Sequence, residues 1–109
     1  MATKPETRLT NAIRAAVQRA WPGCWLMKVH GSPMQSAGIP DLVGVIDGRF
    51  VALEVKLPDG SHRLTPLQAA TIGRIRQAGG IAFEVDSVEQ AIALLDEQLR
   101  TTDRTRSTN

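Results

Sequence analysis

The sequence predicts an α/β domain, with a mixed four-stranded sheet flanked by helices in the order α-β-β-β-α-β and an extra C-terminal helix. The apolar residues change between helical and strand periodicity along the chain, which marks out the elements. A two-residue turn signal, Asp47-Gly48, joins two apolar strands into a hairpin. A helical segment then separates the third strand from the fourth. This crossover predicts that the fourth strand lies parallel to a neighbour.

Length and composition fit one globular domain. The chain has 109 residues, of which 42% are hydrophobic and 22% charged, enough for a single core. We place the domain at residues 1–100 and predict a disordered tail at residues 101–109, which hold nothing to bury. The apolar runs are far shorter than the roughly 20 residues that cross a bilayer, and no secretory signal is evident. We therefore expect a cytoplasmic protein that does not enter a membrane.

Charge and cysteine content narrow the classes of function. Cys24 is the only cysteine, which excludes an internal disulfide and a cysteine-based zinc site. The net charge of +2 permits a polyanionic partner without requiring one. The chain has no basic run and no tyrosine, which argues against a non-specific platform that stacks single-stranded bases.

The individual elements follow from periodicity and from capping signals. Thr65-Pro66-Leu67-Gln68 combines an N-cap, a proline at the first helical position and a capping box, so a helix begins there. A second capping box at residues 87–90 opens the last helix. Helices are predicted at 6–20, 66–78 and 88–100, and strands at 24–29, 41–46, 49–57 and 81–85. The predicted buried stripes are Leu64, Leu67, Thr71, Ile75 and Ala78 in the second helix, and Val88, Ala91, Ile92, Leu95 and Leu99 in the third.

Three charged residues lie inside the apolar hairpin. Asp41 opens its first strand, and Glu54 and Lys56 share one face near the end of its second. Counting back from the turn places Asp41 opposite Leu53 and Glu54. The neighbouring valines and leucines suggest a sheet buried on both faces, where a charge needs a ligand or a partner. A Glu-x-Lys pair is also common on solvated sheets, and Pro-Asp is a common strand entry.

The charges predict a metal-dependent phosphodiesterase site. Magnesium is usually bound by one or two carboxylates, which Asp41 and Glu54 supply, and the Val55 carbonyl could be a further ligand. Lys56 could hold the attacking water or offset charge on the phosphate. Glu6 lies on the inward stripe of the first helix. It either faces this site or only stabilises the helix through a favourable interaction of its negative charge with the helix dipole in the first turn. Trp25, like Trp21, is predicted to lie in the core or in a dimer contact.

The sequence resembles a nuclease family over roughly residues 6–95. The resemblance is to the VRR-NUC (virus-type replication-repair nuclease) branch of the PD-(D/E)XK superfamily, in its stand-alone phage or bacterial form. It implies a restriction-endonuclease-like core. The segments that carry it are Gly38-Ile39-Pro40-Asp41-Leu42, Phe50-Val51-Ala52-Leu53-Glu54-Val55-Lys56, Leu64-Thr65-Pro66-Leu67-Gln68, and Gly79-Gly80 before a strand.

The resemblance implies roles for residues of this chain. Asp41 and Glu54 match the metal-binding acids, with the Val55 carbonyl as a further metal ligand, and Lys56 matches the catalytic lysine. Gln68 matches a helix glutamine that faces the site, which competes with its interpretation as a capping residue. Glu6 matches a first-helix glutamate found in resolvase-like members.

The resemblance also implies a function and partners. It implies an enzyme that hydrolyses DNA phosphodiesters with Mg²⁺ or Mn²⁺, often as a homodimer. We expect a DNA endonuclease that acts on branched DNA such as Holliday junctions or flaps. Resolvase-like relatives carry a basic residue shortly before the segment that matches Gly38 to Asp41, but here residues 34–37 are neutral. DNA contacts would then come from Lys28, His30, Gln35 and Arg63. The alternative is a non-catalytic DNA-binding or assembly module with the same fold.

Overall fold

The structure, a computed structural model, describes residues 3–29, 38–60 and 63–107, with backbone alone from residue 102 onward. Its order of elements confirms the predicted α-β-β-β-α-β-α order. The elements are α1 (Pro5–Ala20), β1 (Trp25–Lys28), β2 (Leu42–Ile46), β3 (Arg49–Val55), α2 (Pro66–Gln77), β4 (Ile81–Val85) and α3 (Val88–Ser107). None of these helices is long and apolar enough to span a membrane.

In the described part of the chain, four strands form one mixed sheet in the order β1-β2-β3-β4. The first three are antiparallel neighbours, and β4 lies parallel to β3, as the crossover predicts. Asp47 and Gly48 both have positive φ, 50° and 80°, as a two-residue hairpin turn requires. This turn fixes the register that pairs Leu42 with Leu53.

Helices α1 and α3 cover one face of the sheet and bury the main hydrophobic core. Alternate residues of each strand point into this layer. The apolar face predicted for the last helix is confirmed, since Ala91, Leu95 and Leu99 are buried in it. The largest fully buried side chains of the chain are Ile13, Leu42, Ile46, Leu53, Leu95, Val17, Val51, Val55 and Val85.

The opposite face of the sheet is only half covered, which corrects the prediction of a sheet buried on both faces. Helix α2 lies over β4 and the middle of β3 and leaves the β1 side open. Trp25 pairs with Val45 and Val45 with Phe50, so these three side chains form an exposed row. Trp25 is 61% exposed, so its predicted place in the core is wrong, whereas its place in a dimer contact stays a prediction. Trp21 packs against the core, as predicted.

The buried stripe of α2 also differs from the prediction. Leu67 is 51% exposed, and Ile72 is the buried residue of this helix. Leu64 and Ile75 pack with Ile72 against Ala52 and Ala82 of the sheet. Leu64 and Ile75 therefore lie on the sheet side as predicted, whereas Gln68 and Ile72 take the positions predicted for Leu67 and Thr71. Leu67 instead lies beside Gly38, where an added Cβ would come within 2.9 Å of the Leu67 Cγ.

Helix α3 begins close to the predicted position and ends later. Ser87 Oγ accepts a hydrogen bond from the Gln90 backbone N–H at 3.1 Å, whereas Gln90 Oε1 accepts from the Asp86 N–H rather than from that of Ser87. The helix continues to Ser107 and so includes most of the segment predicted to be a disordered tail. An Asp96–Arg100 ion pair stabilises the turn before that segment. The domain boundary at residue 100 stays a prediction.

Gly44 is expected to be essential for the pairing of β1 with β2. A Cβ on Gly44 would lie 2.0 Å from the Trp25 carbonyl oxygen and 2.8 Å from the Leu26 Cα. Both are backbone atoms, so the two strands must separate to admit a methyl group. Gly44→Ala is expected to lower the free energy of unfolding by about 2–3 kcal/mol, measured by urea denaturation.

Gly73→Ala is the matched control, because an added Cβ at this helical glycine meets nothing within 4 Å. Alanine favours a helix over glycine by up to about 1 kcal/mol, so this variant should gain stability. Equal stability of Gly44→Ala and the wild-type protein would contradict the close approach of the two strands.

Candidate active site

The hairpin brings Asp41 and Glu54 together. Asp41 precedes β2 directly, and the Leu42–Leu53 pair places it opposite Glu54 on the same face of the sheet. Asp41 Oδ2 accepts a hydrogen bond from the Val55 backbone N–H at 2.8 Å. The Asp41 carboxylate is thereby fixed against the end of β3, as the count from the turn predicts.

Glu54 is a buried carboxylate whose two oxygens have different surroundings. The residue is 3% exposed. Its Oε2 accepts a hydrogen bond from Gln68 Nε2 at 3.0 Å and lies 3.4 Å from Lys56 Nζ. Its Oε1 is buried and has no hydrogen-bond partner. One oxygen of Glu54 is therefore held by two donors, while the other is buried without a hydrogen-bond partner.

The charge balance around Glu54 is unfavourable to its ionised form. Burial, followed by the negative charge of Asp41, raises the pKa of Glu54 to about 7, while Lys56 acts in the opposite direction. Glu54 thus feels one ammonium group and one second carboxylate. An additional positive charge beside Glu54 would favour its ionised form.

Lys56 follows β3 immediately and keeps its backbone paired with β4. Its N–H donates to the Val85 carbonyl at 2.9 Å, which continues the parallel register one residue past the strand. Its side chain is only 11% exposed. The ammonium group is therefore held near Glu54 by a fixed backbone, in agreement with the predicted spacing of the Glu-x-Lys pair.

Gln68 makes both of the contacts that the sequence left as alternatives. Its Oε1 accepts a hydrogen bond from the Thr65 backbone N–H at 2.9 Å, and Thr65 Oγ1 accepts one from the Gln68 backbone N–H at 3.1 Å. These two bonds complete the capping box of α2. The Gln68 Nε2 group meanwhile donates to Glu54. Capping and contact with the site are compatible because they use different atoms of the same amide.

The residues present fit a divalent cation. Two close carboxylates, one of which has a buried oxygen without a hydrogen-bond partner, are the kind of donor set that Mg²⁺ prefers, with waters and phosphate oxygens completing the octahedron. Among the described residues, no group of three or more His, Cys, Asp or Glu side chains could hold a metal ion. A cation here would therefore rest on Asp41, Glu54 and a backbone oxygen such as that of Val55.

Glu6 makes no described contact with the two carboxylates of the candidate site. It lies half-buried in the first turn of α1, where its backbone carbonyl accepts a hydrogen bond from Thr10 Oγ1. The described contacts of Glu6 do not include Asp41 or Glu54, so its role in the site stays a prediction, and its position in the first turn is that expected of a helix-stabilising acid.

Comparison with solved structures identifies the fold. A structure described as a VRR_NUC domain has a TM-score of 0.62 and 24% sequence identity, over 86% of this chain and 97% of that one. A second, described as a VRR_NUC domain protein, has a TM-score of 0.61 and 19% identity, over 89% of each chain. The chain has a VRR-NUC fold. The predicted fold class, α/β with a mixed four-stranded sheet, is thus confirmed. No protein-family model and no curated protein matches the sequence.

The predicted DNA-contacting residues of this VRR-NUC fold are only partly described. Arg63 is exposed and lines a cavity of about 470 Å³ together with Lys56. Lys28 lies half-buried at the end of β1, opposite Leu42. His30 and Gln35 lie outside the described residues. Arg63 is thus the predicted DNA contact that shares a described cavity with Lys56.

The sequence did not single out two further carboxylates near the candidate site. Glu84 of β4 pairs with Glu54 in the parallel register, and both Glu84 and Asp86 line the cavity beside Lys56. A two-residue turn determines which residues of a hairpin pair with each other. A helical crossover leaves the register of its two strands undetermined by the sequence. Nothing in the sequence pattern would therefore have placed Glu84 next to Glu54.

Proposed function

We propose that this chain is a metal-dependent DNA endonuclease that hydrolyses phosphodiester bonds with Mg²⁺ or Mn²⁺. The observation that carries the proposal is the buried Glu54 carboxylate, which lies close to Asp41 and Lys56 and whose Oε1 has no hydrogen-bond partner. Without a bound cation, the ionised form of Glu54 would destabilise the folded protein, because its charge is desolvated and lies near a second carboxylate. The VRR-NUC fold supports the same function.

In the proposed reaction, water attacks phosphorus and the bond to one ester oxygen breaks, with that oxygen leaving as a hydroxyl. Asp41, Glu54 and the Val55 carbonyl would hold the cation, which when bound lowers the pKa of water and offsets charge on the phosphate. Lys56 would orient the attacking water and stabilise the negative charge that develops on the phosphate oxygens. Gln68 would keep the Glu54 side chain in the orientation that binds the cation.

Substrate geometry, assembly and location are further parts of the proposal. We propose that the enzyme selects branched DNA, such as Holliday junctions or flaps, since its weak positive charge gives little hold on an ordinary duplex. The homodimer and the cytoplasmic location expected from the sequence belong to the same proposal. In a dimer, two copies would double the positive charge offered to a branch point.

The decisive experiment incubates the purified protein with junction, flap, duplex and single-stranded DNA in Mg²⁺, Mn²⁺ or EDTA. We expect cleavage with either metal, none in EDTA, and none in Glu54→Ala, because a ligand is lost. Glu97→Ala, an exposed acid on α3, is the matched control and should cleave normally. Cleavage in EDTA, or undiminished cleavage by Glu54→Ala, would overturn the proposal. DNA binding without turnover or metal uptake would favour the non-catalytic module.

A further inference from the structure

The N-cap of α2 is connected to Glu54 through one side chain. The Thr65 backbone N–H donates to Gln68 Oε1 at 2.9 Å, and Gln68 Nε2 donates to Glu54 Oε2 at 3.0 Å. Thr65 makes no described contact with Asp41, Glu54 or Lys56. The described contacts of Thr65 therefore connect it to the site through Gln68.

The hydrogen bond from Thr65 decides which way the Gln68 amide faces. A backbone N–H only donates, so the amide atom that meets it must be the oxygen. The amide nitrogen is then turned toward Glu54, where a carboxylate oxygen accepts from it. The reversed amide would set two donors against each other at Thr65 and two acceptors against each other at Glu54. Both ends of the amide thus favour the same orientation.

The oriented amide also determines which oxygen of Glu54 is free. Gln68 Nε2 and Lys56 Nζ both approach Oε2, at 3.0 Å and 3.4 Å, and Oε1 is left without a partner. If the amide turned around, its oxygen would repel Oε2 and the carboxylate would have to rotate. The cap thus favours the carboxylate orientation in which Oε1 accepts no hydrogen bond and could serve as a ligand atom.

We propose that Thr65 is a positioning residue for the metal centre, acting through Gln68 on Glu54. Its backbone N–H orients the Gln68 amide, and that amide holds Glu54 in its metal-binding conformation. The inference rests on the proposed function, since it concerns the cation that this function requires. Partners in the second layer around a metal typically change metal affinity by about 10–100-fold when they are lost.

The side chain and the backbone N–H of Thr65 make separate contributions that can be tested apart. Thr65→Ser retains both hydrogen bonds. Thr65→Ala loses the Oγ1 acceptor for the Gln68 N–H but retains the N–H that orients the amide. Thr65→Pro loses both, and the φ of −75° and ψ of 159° at this position suit proline. We expect the metal affinity to depend on the Thr65 backbone N–H, and the helix stability to depend on the Thr65 side chain.

The measurement is the Kd for Mn²⁺, by calorimetry and by electron paramagnetic resonance, together with thermal melting. We expect Thr65→Ser to match wild type, and Thr65→Ala to melt about 4 °C lower with a Kd within about twofold. Thr65→Pro should bind Mn²⁺ about 10–100-fold more weakly. Ser87→Ala is the control, because it removes the equivalent cap of α3. It should melt lower without a change in Kd.

Two further variants keep the inference falsifiable if Thr65→Pro does not fold. An ester in place of the Leu64–Thr65 amide, introduced by ligation, removes the same N–H and keeps the threonine side chain. Gln68→Met removes the whole connection and should weaken Mn²⁺ binding to a similar degree as the ester. An ester protein with wild-type Mn²⁺ affinity would overturn the role of Thr65. If the wild-type protein bound no Mn²⁺ and cut no DNA, the proposed function itself would fail.

Discussion

Glu54→Gln is expected to stabilise the metal-free protein at pH 8 by up to about 3 kcal/mol, while it abolishes metal-dependent cleavage. Burial and the charge of Asp41 raise the pKa of Glu54 from its ordinary value of 4.5 to about 7 in the folded protein. The folded state therefore binds this proton more tightly than the unfolded state. The resulting stability is fully present below pH 4.5 and is lost as the pH rises through 7.

Urea denaturation in EDTA at pH 4.5 and pH 8 measures this effect. The wild-type protein should lose stability relative to Glu54→Gln between the two pH values, because a neutral glutamine carries no charge to desolvate. Glu97→Gln on the exposed face of α3 is the control and should follow the wild-type protein at both pH values. A constant difference between the wild-type protein and Glu54→Gln across this range would contradict the raised pKa of Glu54.

Lys56→Met is expected to lower the cleavage rate at saturating Mn²⁺ by about 10²–10³-fold, the usual effect of removing a group that stabilises charge in the transition state. The ammonium lies 3.4 Å from Glu54 Oε2 and lowers the pKa of that carboxylate. Its loss should therefore also weaken Mn²⁺ binding at neutral pH, because Glu54 then holds its proton more tightly. At pH 9 the binding defect should largely disappear, and the rate defect should remain.

Single-turnover kinetics at pH 7 and pH 9, each across a Mn²⁺ titration, separate the two effects. Lys56→Arg retains the positive charge with a different shape and should fall between wild type and Lys56→Met. Recovery of the full wild-type rate by Lys56→Met at saturating metal would mean that the lysine only adjusts Glu54. In that case the proposal that Lys56 takes part directly in the reaction would be wrong.

Local signals in the sequence were sufficient for the hairpin. Asp47-Gly48 admits few turn geometries, and a two-residue turn fixes the register of both strands, so Asp41 could be placed opposite Glu54 by counting. The spacing of Glu54 and Lys56 followed from the alternation of a strand. These inferences needed no knowledge of how the helices pack.

Inferences that depend on packing were less successful. Leu67 was predicted to be buried because it is apolar. In the structure the neighbouring residue Gln68 faces the sheet instead, while Leu64 and Ile75 of the predicted stripe keep their places. The capping box had drawn attention to Gln68, but its phase on the helix was not readable from apolar residues alone. Trp25 lies on a part of the sheet that α2 does not cover, and the extent of that cover depends on tertiary packing.

Helix α2 has a consequence for how the domain opens. It contributes a single buried side chain, Ile72, whereas α1 and α3 each pack several buried side chains into the main core. Segments with little buried apolar surface detach at a lower free energy than the global unfolding of the domain. Departure of α2 would carry Gln68 away from Glu54 and leave the rest of the sheet intact. We therefore expect the element that orients the Glu54 carboxylate to detach and return at a lower free energy than that of global unfolding.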